Sequence, residues 1–207
     1  MLYYWGDDPQ LHNTTVRNHP VAKQNYGKDG CSFCALFCTM NSRIRNLTHG
    51  ALIAALYVVL THAQNLIFPD SASMMIQFRV SEALCVLALF TPSAIWGLTV
   101  GCMLFNITAA GVLPLDVLVG SLATLLATFG MYLTRKWTIF SYPALAMLLP
   151  AVCNGILVGW ELAYYIGGGF WINCIYVAIG EVTVLLILGS MLYYAMLRRD
   201  LHRRIFS

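Results

Sequence analysis

Residues 77–90 read QFRVSEALCVLALF. Most of this run is apolar, yet Arg79 and Glu82 stand three apart near its head. On a helix that spacing puts both on one face. If the run enters a membrane, a charged pair at its edge needs a reason. Its standing as a span also sets the number of crossings, and so the fold.

The rest of the chain points to a bilayer. Of 207 residues, 59% are hydrophobic and only 10% are charged, with a mean hydropathy of +0.69. Soluble domains carry about 25% charged residues. The net charge of +3 is too small to suggest nucleic acid, and no RNA- or DNA-binding motif is present. Cys85, Cys102, Cys153 and Cys174 lie within apolar segments and read as small packing residues. Cys31, Cys34 and Cys38 form CSFCALFC. A CxxC unit can hold zinc, but a second ligand group to match it is absent. No metal site is expected.

Residues 1–40 differ from the remainder. MLYYWGDDPQLHNTTVRNHPVAKQNYGKDG is polar and lacks the charged-then-apolar plan of a signal peptide. A disordered cytoplasmic tail is one reading. The other, favoured, has translation start at Met40, because MNSRIRNLTHGALIAAL resembles the start of a bacterial membrane protein. The expected domains are therefore a polar extension, 1–40, and a transmembrane domain, 41–207.

Six apolar segments follow: Leu47–Phe68, Arg79–Phe90, Ala94 to near Ala110, Leu115–Leu133, Ala144 to near Tyr165, and Trp171–Leu197. A spanning helix needs about 20 residues, and five segments satisfy that. The second, with about 12–16 usable residues, is expected to be tilted or partly re-entrant. Six spans place both termini on one side. Arg43 and Arg45, then Arg135 and Lys136, then Arg198, Arg199, Arg203 and Arg204 all fall on that side. The positive-inside rule makes it cytoplasmic. A five- or seven-span arrangement breaks the agreement. After Met40, Arg79 is the one basic residue on the outer side.

The polar residues gather in the outer half of this topology. Glu82 lies one turn into the second span, and Asp116 opens the fourth. Glu161 closes the fifth. Asn106 is near the outer end of the third span and Asn173 near that of the sixth. Asn154 is about two turns inward from Glu161 on the same face. Glu181 is about 11 residues into the sixth span, roughly 16 Å along it, near the midplane of a ~30 Å core. A charge at a helix centre costs about 2.5–3.5 kcal/mol on insertion scales, so such residues face a cavity or each other. Arg79 either staples helices through Glu82 or Asp116 or lines a site. For Glu161 and Glu181 no other outer-half base is available, which favours a polar cavity. Asp116 suits either a site or the positive end of a helix dipole. Asp70 lies in a loop and reads as solvated.

Small residues recur at helical spacing. Gly97 and Gly101 form one small-xxx-small pair; Ala51 and Ala55 form another, with Gly50 and Ala54 beside it. Such pairs let helices approach closely, within the fold or against a partner. Trp96, Trp137, Trp160, Tyr164, Tyr165 and Trp171 sit near span ends, as an aromatic belt would. Trp160, Tyr164 and Trp171 also suit stacking on a planar ligand. His49 and His62 are isolated, and no nucleophile motif stands out. No GxxxxGK[ST] occurs, so the chain cannot be an ATPase alone.

RVSEAL at 79–84, the glycine and asparagine pattern over 97–106, PLDVLVGSLATLLA at 114–127, PAVCNGILVGWEL at 150–162 and IGE at 179–181 together resemble the QueT family. Its members are substrate-binding S components of energy-coupling-factor (ECF) transporters, assigned to queuosine precursors. The likeness runs from about Met40 to Arg199, across every expected span; residues 1–40 fall outside it. The resemblance implies an all-α, six-helix membrane bundle with an outward-facing substrate pocket. It implies a transmembrane coupling protein and two cytoplasmic ATPase subunits as partners, in a bacterial plasma membrane, with no cofactor. Capture outside, reorientation of the subunit, release inside and an ATP-driven reset are the implied cycle. Ala51 and Ala55 match the surface that docks the coupling protein.

The chemistry of such a ligand suits the residues. A deazaguanine edge offers adjacent N–H donors, which a carboxylate accepts as a pair. An aminomethyl form adds a cation. Glu161 and Glu181 are expected on the purine edge or amine, and Asn106, Asn154 and Asn173 on the carbonyl and ring nitrogens. Arg79 with Glu82 is expected to shape the pocket mouth. The alternatives are an S component for another small vitamin, or a membrane enzyme or signalling partner with a structural polar core.

Overall fold

A computed structural model describes residues 42–69, 78–109, 115–138, 142–198 and 201. The CSFCALFC cysteines, Met40 and Asp70 lie outside the described residues. The chain divides into a unit ending at Ser42 and a second unit, Arg43–Ser207, which carries the helices.

The described chain is all-helical, with no strand among the described residues. It runs α1 (Ser42–Ile67), a 3₁₀ helix (Val80–Leu89), α2 (Ser93–Thr108), α3 (Asp116–Thr134), α4 (Ala144–Tyr165) and α5 (Phe170–Val184). A π-helical turn, Leu185–Gly189, joins α5 to α6 (Ser190–Arg198). These last three form one unbroken helical stretch, Phe170–Arg198, of 29 residues. Together with α1, α3 and α4 it makes four helices long and apolar enough to cross a membrane. At 1.5 Å per residue, even the shortest, α3, covers about 28 Å, close to the hydrocarbon thickness. The 3₁₀ helix and α2 are shorter.

The run that opened the sequence is where local structure departs from an ordinary span. Its central stretch, Val80–Leu89, winds with i→i+3 hydrogen bonds. A 3₁₀ helix rises about 2.0 Å per residue, so ten residues reach about 20 Å where an α-helix would reach about 15 Å. Every residue from Ser81 to Leu89 is buried. A helix enclosed on all sides needs apolar residues on all sides, which is why CVLALF shows no amphipathic period. The short run is thus a central strut of the bundle rather than a lipid-facing helix.

Two apolar clusters surround it. The larger gathers Leu84–Leu89 with Tyr57 of α1, Leu98 and Phe105 of α2, Met131 of α3, Met147 of α4 and Tyr193 of α6. The smaller joins Ala123 of α3, Val158 and Leu162 of α4, and Val177 of α5. Successive helices pack as neighbours: α2 on α3, α3 on α4, and α4 on α5. Cys85, Cys102 and Cys174 are buried and form no disulfide.

The small residues of α1 split between two jobs. A Cβ at Gly97 would stand 2.5 Å from the Gly50 carbonyl oxygen, and one at Gly101 would stand 2.9 Å from Tyr57 Cβ. Gly50 and Ala54 are therefore the residues that receive α2. Ala51 and Ala55, one residue further round, are exposed. They share the exposed part of α1 with Leu47, Leu52, Leu56 and Val59.

Candidate functional site

The carboxylates come from helix ends that an alternating chain direction brings to one end of the bundle. Tyr57, Asn106 and Glu161 lie in the later parts of α1, α2 and α4. Arg79, Asp116 and Asn173 lie at the beginnings of the 3₁₀ helix, α3 and α5. Glu181 sits deeper, twelve residues into α5 and four before the π-helical turn.

The opening pair of charges is buried. Arg79 is 6% exposed and Glu82 is 1% exposed. Glu82 accepts one hydrogen bond across the fold and one from its own helix: Tyr57 donates its hydroxyl to Oε1 at 2.6 Å, and the Cys85 thiol donates to Oε2 at 3.1 Å. The Arg79 guanidinium lies 5.9 Å from the centre of the Phe105 ring. Its charge acts on Glu82, Asp116, Tyr57 and Cys102 together. It is thus a cation shared across the cluster.

Glu161 is fully buried. Neither of its carboxylate oxygens has a hydrogen-bond partner among the described residues. Asp116 and Arg79 are its electrostatic neighbours. Asp116 is the first residue of α3, where the helix dipole favours an acid, so the dipole role and membership of the cluster coexist. Asn106 donates Nδ2 to the Asp116 carbonyl at 2.7 Å, while its Oδ1 is buried without a partner. A Cβ at Gly120 would stand 2.8 Å from that Nδ2; glycine there gives the amide its room.

Glu181 accepts from Asn154 Nδ2 at 2.8 Å through Oε1. Its Oε2 is buried and unpartnered. It lies within electrostatic reach of Glu82 and Arg79. Sequence spacing alone aligns Asn154 with Glu161 on α4; the fold turns its amide toward Glu181 of α5. Asn173 donates Nδ2 to the Gly167 carbonyl at 3.1 Å. It thereby ties down the turn in which Gly167 and Gly168 hold φ of +83° and +81°.

Sequence reasoning missed Tyr57. Nothing in ALYVVL marks this tyrosine, yet it is fully buried with its hydroxyl on a site carboxylate. The signal available was a polar-tipped residue in mid-span. Trp160, Tyr164 and Trp171, the aromatic residues suited to stacking on a ligand, are 51%, 70% and 73% exposed. Trp160 stacks on Tyr164 on the outside of the bundle, where a belt belongs. Among the described residues no group of three or more His, Cys, Asp or Glu is placed to hold a metal ion.

A bundle of long apolar helices around a buried, mostly acidic polar cluster defines a multi-pass membrane protein. Residues 47–198 match the family described as QueT transporter, and the chain belongs to that family. A curated relative, "Queuosine precursor transporter QueT" from Lactococcus lactis subsp. cremoris (strain MG1363), is 43% identical over 75 residues. That stretch covers 36% of this chain and 42% of the relative, so the chain aligns with less than half of the relative's length. No solved structure matches the chain.

Proposed function

We propose that this chain is the substrate-binding S component of an ECF importer and that it binds a queuosine precursor of the deazaguanine type. The observation that carries the substrate class is the set of unsatisfied atoms. Glu161 Oε1 and Oε2, Glu181 Oε2 and Asn106 Oδ1 are buried without partners. All four are acceptors. A buried polar atom left unpaired costs about 1–3 kcal/mol, so a fold that leaves these four acceptors buried and unpaired favours a ligand rich in N–H donors. A deazaguanine edge has such donors, and an aminomethyl group adds more with a positive charge. The relative's printed name supports the same substrate.

In this proposal Glu161 and Glu181 take the N–H groups of the purine edge and the amine. Asn106 contributes its free oxygen. Asn154 and Asn173 steady the carboxylate of Glu181 and the neighbouring turn. Arg79, Glu82 and Asp116 set the charge of the site. The 3₁₀ helix, buried within the bundle, and α2, buried on one face only, complete six crossings with the four long helices. Both termini face the cytoplasm, and the site opens to the outside of a bacterial plasma membrane. Ala51 and Ala55 dock the coupling protein, and two ATPase subunits supply the energy.

The test is binding by the purified full chain. Queuosine precursors are titrated, with thiamin and riboflavin as competitors. Tight, selective binding of a deazaguanine is the expected result. Preference for either vitamin overturns the substrate assignment. Co-expression with a coupling protein and its ATPases tests the partnership separately, and consistent failure to co-purify counts against it.

A further inference from the structure

Helix α1 has a face that sequence reasoning leaves without a function. Tyr57, Thr61 and Gln64 follow one another at helical spacing, so they line one side of α1. Each reaches the start of the 3₁₀ helix. Tyr57 donates to Glu82 Oε1 at 2.6 Å. Thr61 Oγ1 and Ser81 Oγ share a hydrogen bond of 2.7 Å. Gln64 Oε1 accepts from the Val80 backbone N–H at 2.7 Å, and its Nε2 donates to the Phe78 carbonyl. The order runs antiparallel: 57, 61 and 64 of one element hold 82, 81 and then 80 and 78 of the other. All three α1 side chains are buried, at 0%, 0% and 8% exposure.

These bonds anchor the start of the 3₁₀ helix to α1. A 3₁₀ helix of ten residues is unusually long for its hydrogen-bond geometry, and Arg79, its N-cap, makes no side-chain capping bond. Gln64 substitutes for the missing cap by bonding the backbone on both sides of Arg79. Thr61 fixes the register. Tyr57 then meets Glu82 and orients its carboxylate.

We propose that Tyr57 is a positioning residue for substrate binding, acting through Glu82 and held in register by Thr61 and Gln64. The proposal rests on the substrate-binding function above. Glu82 is within electrostatic reach of Glu181 and Arg79, so its placement governs the charge that a bound cation meets. A carboxylate free to rotate would no longer present that charge in one direction.

The experiment measures binding of an aminomethyl-deazaguanine to the full chain and five variants, one of them double. Tyr57→Phe keeps the ring and removes only the donor; about tenfold weaker binding is expected. In a Glu82→Gln background the same change should cost under threefold, because the charge it positions is gone. Thr128→Val removes a buried hydroxyl that bonds only within α3, and its affinity should stay within twofold of the wild type. Cys85→Ala removes a second donor on Glu82 and should weaken binding about threefold; it stands in if Tyr57→Phe does not fold. Wild-type affinity in a folded Tyr57→Phe overturns the proposal alone, as does wild-type affinity in Cys85→Ala where Tyr57→Phe does not fold. So does a Tyr57→Phe penalty undiminished in the Glu82→Gln background, or an equal loss in Thr128→Val. A wild-type chain that binds no deazaguanine overturns this proposal and the assigned function together.

Discussion

Glu161→Gln should move affinity and stability in opposite directions. The carboxylate is fully buried and both oxygens lack partners, so the ligand-free fold carries the cost of keeping them there. Hydrogen bonds to a charged group contribute about 1.5–3 kcal/mol. At about 1.4 kcal/mol per tenfold, losing one such interaction weakens ligand binding roughly 10- to 150-fold. Gln keeps the shape but presents one acceptor and one donor in place of two acceptors. Facing the N–H groups of a purine edge, its amide sets donor against donor. In the ligand-free protein the same change replaces one of two unpartnered acceptor oxygens with an N–H donor and should stabilise the fold by about 1 kcal/mol, within the cost range of an unpaired buried polar group. The assays are calorimetric titration with a deazaguanine and thermal unfolding of the ligand-free protein in detergent. Unchanged affinity would sink the assignment of Glu161 to the substrate. A marked loss of ligand-free stability would show instead that Glu161 is a structural carboxylate with a partner in the fold.

Other outcomes follow from the packing. Gly97→Val should destabilise by about 1–3 kcal/mol, as overpacking does, because even a Cβ would stand 2.5 Å from the Gly50 carbonyl oxygen; thermal unfolding reads this, and an unchanged midpoint would show that α1 and α2 can part at no cost. Ala55→Trp on the exposed part of α1 should leave ligand affinity within twofold while ending co-purification with a coupling protein; a complex that survives removes the docking assignment. Gly167→Ala should cost about 1–2 kcal/mol from backbone conformation alone, since φ is +83° and no atom lies within 4 Å of the added Cβ; denaturant titration of the variant measures it.

Much of the architecture was legible in the sequence because the bilayer imposes a simple rule. Long apolar runs such as those of α1, α3, α4 and the Phe170–Arg198 stretch carry their own hydrogen bonds and can be counted. The family likeness was legible for the same reason: RVSEAL, PLDVLVG and the WEL of α4 are contiguous words. Gly97 and Gly101 announced a close helix contact through their spacing, and the contact is there. What the spacing left open was which small residues of α1 receive it, because Gly50, Ala51, Ala54 and Ala55 form two adjacent stripes on one helix.

The site was legible only as a list of polar residues in the wrong solvent. An apolar surrounding makes each acid conspicuous, so Glu82, Glu161, Glu181, Asn106 and Asn154 could be named from sequence. Their pairing could not. Asn154 bonds Glu181, 27 residues away, and Tyr57 bonds Glu82, 25 residues away; such partners depend on how helices rotate about their axes, which side-chain packing across the whole bundle sets. The run QFRVSEALCVLALF shows the division. Sequence alone determined that it is apolar, short and headed by two charges. Only the tertiary structure decided that Val80–Leu89 winds as a 3₁₀ helix, is buried from Ser81 to Leu89 and is held by α1. A ten-residue element gains too little from its own hydrogen bonds to choose that winding. The contacts made by its neighbours choose it.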